Sequence, residues 1–195
     1  NKKNMELEEI ENFVDGAAVK RVGDLTFNIA KQNLHEMITV DEGLICQTIL
    51  DLYNKEAIVA EPAAALSIAA LEYYKEEIKD KNVVCIISGS NNDITRTAEI
   101  SERAMLYADL KHYFIVNFPQ RAGALRQFVE QILGPNDDIT YFQYTKKTNR
   151  QTGSAVVGLE IKSTSDFDPL IKRMKEQNFY GDYLNNKPDL FEFLV

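Results

Sequence analysis

"IVNFPQRAGALRQFVEQIL", residues 115–133, changes its period midway. Tyr113 to Phe118 is aromatic and β-branched, the composition of a strand. Leu125, Phe128, Val129, Ile132 and Leu133 then recur at helical spacing on one face. Between the two lies Pro119-Gln120-Arg121-Ala122-Gly123. Pro119 lacks a donor and cannot continue a central strand. Gly123 either lets the backbone take a conformation other residues avoid or lets something come close. The first helical turn leaves backbone N–H groups unpaired. The stretch therefore reads as strand, turn, helix. The turn is either a plain connection or a seat for a ligand's carboxylate.

Outward from this stretch, residues 111–195 read as strand, helix, strand, strand, helix, strand. The strands are placed at 112–118, 139–146, 154–161 and somewhere within 180–194. The helices are placed at 122–133 and about 166–177. Gly134-Pro135-Asn136 closes the first helix. "TNRQTG", residues 148–153, is a hairpin signal. Phe167, Leu170, Ile171 and Met174 give the second helix its face, with Pro169 in its first turn. This order is that of the α+β ferredoxin-like βαββαβ motif, which hosts many functions and settles none.

The 195 residues suffice for one or two domains. Residues 1–110 carry 11 basic and 20 acidic side chains, a net of −9, and residues 111–195 carry 11 and 10, a net of +1. The asymmetry suggests two units, 1–109 and 110–195, with a short junction near Asp109. A total of −8 with no basic, aromatic-laced patch argues against nucleic acid as a partner. No apolar run approaches the ~20 residues of a membrane helix, and the N-terminal residues lack a signal peptide's apolar core. Cys46 and Cys85 stand alone in apolar patterns, as in a reducing, cytoplasmic compartment. His35 and His112 lack spaced metal-ligand partners, so no metal site is expected.

The first unit reads as α/β. A short helix follows Gly23-Asp24 and runs to Leu34, and "EMITV", residues 36–40, reads as a short strand. Asp41 caps a helix whose face carries Leu44, Ile45, Thr48, Ile49, Leu52 and Tyr53. "EPAAALSIAALEYY", residues 61–74, is a helix with Pro62 in its first turn. It is apolar nearly all round and should be deeply buried. Glu61 at its head either complements the helix dipole or is turned into a site. Val83 to Ile87 is a continuous apolar run, as in a strand buried on both faces. Ser88-Gly89-Ser90-Asn91 is the turn into the next helix, "DITRTAEISERAML". Sites in open α/β folds gather at strand carboxyl ends, so Ser88 is a candidate polar group in a pocket. The plainer reading is a turn whose Ser and Asn satisfy nearby backbone groups.

"FPQRAGALRQFVEQILGPNDDITYFQY", residues 118–144, followed by "AVVGLEI", resembles the ACT-like regulatory domain of biosynthetic threonine dehydratase (threonine ammonia-lyase). The pattern is a strand ending in Phe-Pro, Gly-Ala-Leu opening a helix, a Leu-Gly helix end and an Ile-Thr-x-Phe-x-Tyr strand. "DGAAVKRVGD" (15–24), "AEPAAALSIAAL" (60–71), and "ISGSNND" followed by "ISERAML" (87–106) resemble the last part of that family's catalytic domain. The resemblance covers nearly the whole chain in order. It implies part of a tryptophan-synthase-β-like fold, pyridoxal phosphate as cofactor, and a lyase converting L-threonine to 2-oxobutanoate and ammonia for isoleucine biosynthesis. It also implies feedback by isoleucine through the ACT-like domain, opposed by valine.

For site residues, the resemblance puts Ser88 at the cofactor's pyridine nitrogen, Glu61 near the ring and the Gly16 segment along its other side. A neutral hydroxyl does not hold that nitrogen protonated as a carboxylate would. The ring is then a milder electron sink, which suits β-elimination. In the second unit an effector pocket is expected at Phe118, Arg121, Gly123, Leu125 and Tyr144. The helix N-terminus would receive isoleucine's carboxylate, and apolar side chains its sec-butyl group.

Three features depart from the family's pattern. The Schiff-base lysine and the glycine-rich phosphate loop are absent, and Lys20 in "VKRVG" is not in the lysine motif. Ser90 stands where the family has Gly or Ala. A single ACT-like unit needs a partner chain to form a paired regulatory site, as in a homo-oligomer, dimer or tetramer. The expectation is a C-terminal portion of a longer enzyme, inactive alone. The competing readings are an amino-acid-sensing and oligomerisation module, and an assembly surface without ligand.

Overall fold

The computed structural model describes residues 3–145 and 152–194. It divides into two compact units, Asn1–Ala104 and Met105–Val195.

The second unit is a four-stranded antiparallel sheet in the order β2-β3-β1-β4. Its elements are β1 (Lys111–Pro119), α5 (Ala124–Gln131), β2 (Asp138–Tyr144), β3 (Thr152–Glu160), α6 (Phe167–Glu176), β4 (Tyr180–Tyr183) and α7 (Pro188–Leu194). That is the ferredoxin-like order expected, with α7 added after β4. Central strands β1 and β3 pair from Lys111 opposite Glu160 to Pro119 opposite Thr152. Phe114, Val116, Phe118, Val157 and Leu159 from these strands meet Phe128 of α5, Ile132 just after it, and Leu170 and Met174 of α6 in one core. Burial of this kind stabilises by roughly 25 cal/mol per Å2 of apolar surface.

The predicted helical face of α5 divides: Phe128 and Ile132 are buried, but Leu125 and Val129 are exposed. The strand expected to reach residue 146 ends at Tyr144, and most of the hairpin expected at 148–153 lies outside the described residues.

A charged clasp closes the C-terminal end of α5. The Asp137 carboxylate accepts from the Gly134 N–H at 2.6 Å, with the Arg173 guanidinium 3.7 Å away. Arg173 also donates through Nε to the Ile132 carbonyl at 2.6 Å. The chain thereby satisfies helix-end groups that nothing within the helix can.

In the first unit, α1 (Asp24–Asn33), α2 (Glu42–Glu56), α3 (Pro62–Ala69) and α4 (Thr97–Tyr107, running into the second unit) are joined by 3-10 turns and extended segments. Asp41 caps α2 by accepting from the Gly43 N–H at 2.8 Å. Ile45, Cys46 and Ile49 of α2 pack with Ala65 and Ala69 of α3, Ile100 and Ala104 of α4, and Phe13. Burial pushes the Cys46 thiol up to about 12, so it behaves as a small apolar side chain. Cys85 is only half-buried. Helix α3 ends at Ala69 and tightens into a 3-10 turn over Ala70–Tyr74, whose residues are not buried, so the expected long buried helix is shorter.

Two expected strands do not form. Residues 36–40 and 83–87 have no regular secondary structure, and no strand of the described first unit pairs with them. A strand exists through its ladder of hydrogen bonds, and composition cannot supply the neighbour. Instead of being buried on both faces, Val84 is 89% exposed and Ile86 74%.

Two predictions follow from the second unit's polar core. Asp137→Ala leaves the Gly134 amide without its acceptor and Arg173 without its ion-pair partner. It should cost about 1–3 kcal/mol, read as a lower urea midpoint at unchanged m-value. The second concerns His112, which lies buried against the Phe167 ring with centroids 4.4 Å apart. Its Nε2–H donates to the Asp109 carbonyl at 3.0 Å, and its Nδ1 accepts from the Tyr183 hydroxyl at 2.9 Å. Burial pushes its pKa below the ordinary value, and the Asp109 carbonyl and carboxylate only partly oppose this. Above about pH 6.5 both folded and unfolded states hold the ring neutral. Below that the unfolded state binds the proton first, so stability falls with pH until the folded-state pKa is reached. Unfolding midpoints between pH 7.5 and 5 should show the fall, and His112→Phe should flatten it.

Candidate functional site

The second unit's site is built where β1 ends. Pro119 stops the strand, and the chain turns through Arg121 to Gly123. There φ is +81°, the left-handed region that glycine enters without strain. Helix α5 begins at the next residue, and no side chain caps its N-terminus. A Cβ on Gly123 would meet nothing within 4 Å, so the turn faces open space. Gly123 thus supplies the left-handed conformation, and the space beside it is open.

A cavity of about 410 Å3 lies over this turn, lined by residues 118–126, Phe142 and Tyr144. The size is within the range of small-molecule sites, ~300–1,000 Å3. Phe118 forms the apolar floor, with ring centroids 5.8 Å from Phe142 and 5.7 Å from Tyr144. Phe142 and Tyr144 share one face of β2 because they are two residues apart. Gly153 of β3 lies opposite Phe118, between the two outer groups. A Cβ there would come 3.1 Å from the Tyr144 hydroxyl and 3.2 Å from Gln120 Nε2, so its absence lets both lean over the strand. The half-exposed Leu125 supplies the helix side of the wall.

Phe118, Arg121, Gly123, Leu125 and Tyr144 therefore come together around one cavity. Arg121, however, turns its guanidinium to the Gln127 side chain. Sequence reasoning did not single out Phe142 or Gln120. The period-two pattern of β2 pairs Phe142 with Tyr144 and so carried a signal for the first. Only its place in the turn pointed to Gln120. Arg126 joins Arg121 in the lining, and no acidic side chain appears there among the described residues.

The first unit's cluster centres on Glu61, the residue before α3. Its carboxylate does not cap its own helix. It turns to the 88–91 segment, where Oε2 accepts from the Asn91 N–H at 3.2 Å, and the Glu61 N–H donates to the Gly89 carbonyl at 3.3 Å. A Cβ on Gly89 would sit 2.5 Å from Glu61 Oε1, so only glycine admits the carboxylate. A Cβ on Gly16 would lie 2.9 Å from Ala63 Cβ and 3.7 Å from Glu61 Oε1. Further along, Ser67 Oγ donates to the Ile86 carbonyl at 2.9 Å, and the Cys85 thiol to the Ser67 carbonyl at 3.4 Å. Hydrogen bonds to α3 thus hold the 85–91 segment even without a sheet. Gly16, Glu61 and Gly89 converge, and Ser88, beside Gly89, is exposed. Ser88 thus offers an exposed neutral hydroxyl beside the contact between Glu61 and Gly89.

Comparison with known proteins agrees with the two-part reading. Residues 102–194 match the family described as the C-terminal regulatory domain of threonine dehydratase, and residues 1–89 match the pyridoxal-phosphate dependent enzymes. The chain is 53% identical over 189 residues to the biosynthetic L-threonine dehydratase IlvA of Bacillus subtilis (strain 168). It is 54% identical over 189 residues to that of Staphylococcus aureus (strain NCTC 8325 / PS 47). Each match covers 97% of this chain and 45% of the relative, so the chain spans less than half the length of these relatives. A solved structure, the processed form of threonine deaminase isoform 2 from Solanum lycopersicum, is 32% identical. It matches 51% of this chain and 30% of its own with a TM-score of 0.48. Two family matches in order, and more than half of the residues identical along 97% of the chain, place it in the threonine dehydratase family, with part of the pyridoxal-phosphate domain joined to the C-terminal regulatory domain.

Proposed function

We propose that this chain is the regulatory end of a pyridoxal-phosphate-dependent lyase converting L-threonine to 2-oxobutanoate and ammonia, and that the cavity between β1 and α5 binds isoleucine as its feedback effector. One observation carries the reading: an apolar-floored cavity opens on the uncapped first turn of α5, in a unit that matches a threonine dehydratase regulatory domain. A branched aliphatic side chain fits Phe118, Leu125 and Phe142. A carboxylate suits the helix N-terminus and the two arginines. The described lining holds no acid for the ammonium, which supports a site completed by a second copy in a homo-oligomer. Valine, one methylene smaller, would compete there and oppose isoleucine.

The first unit would hold one side of the cofactor. Pyridoxal phosphate, when bound, supplies the electron sink that makes an amino acid's α-proton removable. Ser88 would meet the ring nitrogen with a neutral hydroxyl. Glu61 would hold the turn carrying Ser88, and the Gly16 segment would line the opposite side. The chain by itself would not turn over threonine. Elimination needs an amine to hold the cofactor and take the α-proton, and Lys20, the lysine nearest Gly16 in sequence, gives its ammonium to the Glu8 carbonyl at 3.0 Å. The purified chain would be a soluble, cytoplasmic amino-acid sensor, and catalysis would belong to the complete enzyme.

Two measurements test these readings. Calorimetric titration of the chain with L-isoleucine should give saturable heat and a raised melting temperature. Gly123→Val should abolish both, because valine at φ +81° is strained and its side chain fills the open space. No heat at millimolar isoleucine would overturn the effector reading. The second measurement is 2-oxobutanoate formation with added pyridoxal phosphate and L-threonine. The expected rate is that of buffer, and turnover removed by borohydride reduction would place a complete catalytic site within this chain.

A further inference from the structure

We infer that the two arginines of the effector cavity have different tasks: Arg126 pairs with the ligand's carboxylate, and Arg121 holds the turn. The inference rests on the effector reading above and assigns its carboxylate to one side chain. Arg126 is the third residue of α5, lines the cavity and is exposed. Among the described residues its guanidinium has no hydrogen bond, ion pair or ring contact. Glu130 stands four residues on, at the spacing of a helical ion pair, and does not engage it.

Arg121 is placed differently. Its guanidinium donates to the Gln127 side chain. Gln127 Nε2 donates in turn to Gln131 at 3.0 Å and to Gln177, just after α6, at 3.4 Å. Arg121 is thereby tied through one glutamine to α5 and to the end of α6. Turning it to a ligand would break that chain of bonds, whereas Arg126 has none to break.

The charge at this helix start calls for an anion. No side chain caps α5, no acidic residue stands in its first turn, and Arg126 brings a cation to the end where the helix dipole is already positive. These features oppose one another until a negative group lies among them. The cavity of about 410 Å3 is the space beside them, and no acidic side chain lines it among the described residues. A guanidinium gives a carboxylate two parallel N–H bonds, so it fixes the orientation of the ligand as well as its charge. With the carboxylate at Arg126, an aliphatic side chain is left for Phe118, Leu125 and Phe142.

The experiment compares L-isoleucine with L-isoleucinamide, in which a neutral amide replaces the carboxylate. Both are titrated into the unaltered chain, Arg126→Gln, Arg126→Lys and Arg121→Gln, with melting curves to verify folding. The unaltered chain should prefer L-isoleucine. Arg126→Gln should weaken L-isoleucine by roughly tenfold to a hundredfold, the loss of hydrogen bonding between charged groups. Its binding of isoleucinamide should stay as it was, so the preference collapses. Arg126→Lys keeps the charge without the fork and should weaken L-isoleucine less. Arg121→Gln should lower the melting temperature and cost less affinity than Arg126→Gln. If Arg126→Gln does not fold, Arg126→Lys decides, and its binding L-isoleucine as the unaltered chain does would overturn the assignment. Unchanged L-isoleucine binding by folded Arg126→Gln would overturn the assignment and leave the effector reading standing. Equal loss of both ligands would mark a structural effect only and also overturn it. A larger loss from Arg121→Gln would reverse the two tasks. No binding by the unaltered chain would overturn both readings together.

Discussion

The pairing of β1 with β3 is the constraint on which the second unit depends. Nine residue pairs, Lys111–Glu160 to Pro119–Thr152, fix the register. In a strand the side-chain period is two, so a slip of one residue would send every core residue to the opposite face. Register puts Phe114, Val116 and Phe118 into the core beside Val157 and Leu159. The same register sets Gly153 opposite Phe118 at the end of the ladder. There a missing side chain makes room for Tyr144 from the next strand and Gln120 from the turn. The site is thus a product of the core, since one alignment serves both.

Much of this unit was legible in the sequence because its elements satisfy one another within a short span. The strand–turn–helix at 113–133, the Gly134 stop and the period of β3 each carry a local signal, and short antiparallel connections assemble them. The exposed half of the α5 face was not legible. Leu125 reads as core by period, yet it is half-exposed beside the cavity. Periodicity reports that a residue is apolar, not whether protein or ligand covers it. Gln120 escaped notice for a related reason. A glutamine in a turn is ordinary until the structure shows its nitrogen buried with no partner among the described residues.

The first unit shows the opposite case. Val83–Ile87 has the composition of a doubly buried strand, and residues 36–40 that of a short one, but neither finds a ladder among the described residues. What survives is the part of the pattern that needs only helices: the Asp41 cap, the α2 face apart from Tyr53, which is exposed, and the small residues of α3 that allow close packing. Glu61 was legible as an anomaly, a carboxylate at the head of an apolar helix. Its hold on the 88–91 turn required Gly89, whose role no local pattern announces.

The segment Val83–Ile87 has a consequence for the chain in concentrated solution. It is five apolar residues long, free of proline and charge, and Val84 and Ile86 stand exposed. Hydrogen bonds through Cys85 and Ile86 hold part of it against Ser67 of α3. An exposed apolar, β-branched segment without a strand partner is one on which another chain can add a strand. The −8 net charge does not protect this segment directly, because Val83–Ile87 carries no charged residue. A lysine at position 84 would act as a gatekeeper, interrupting strand addition while leaving the bonds to α3 intact.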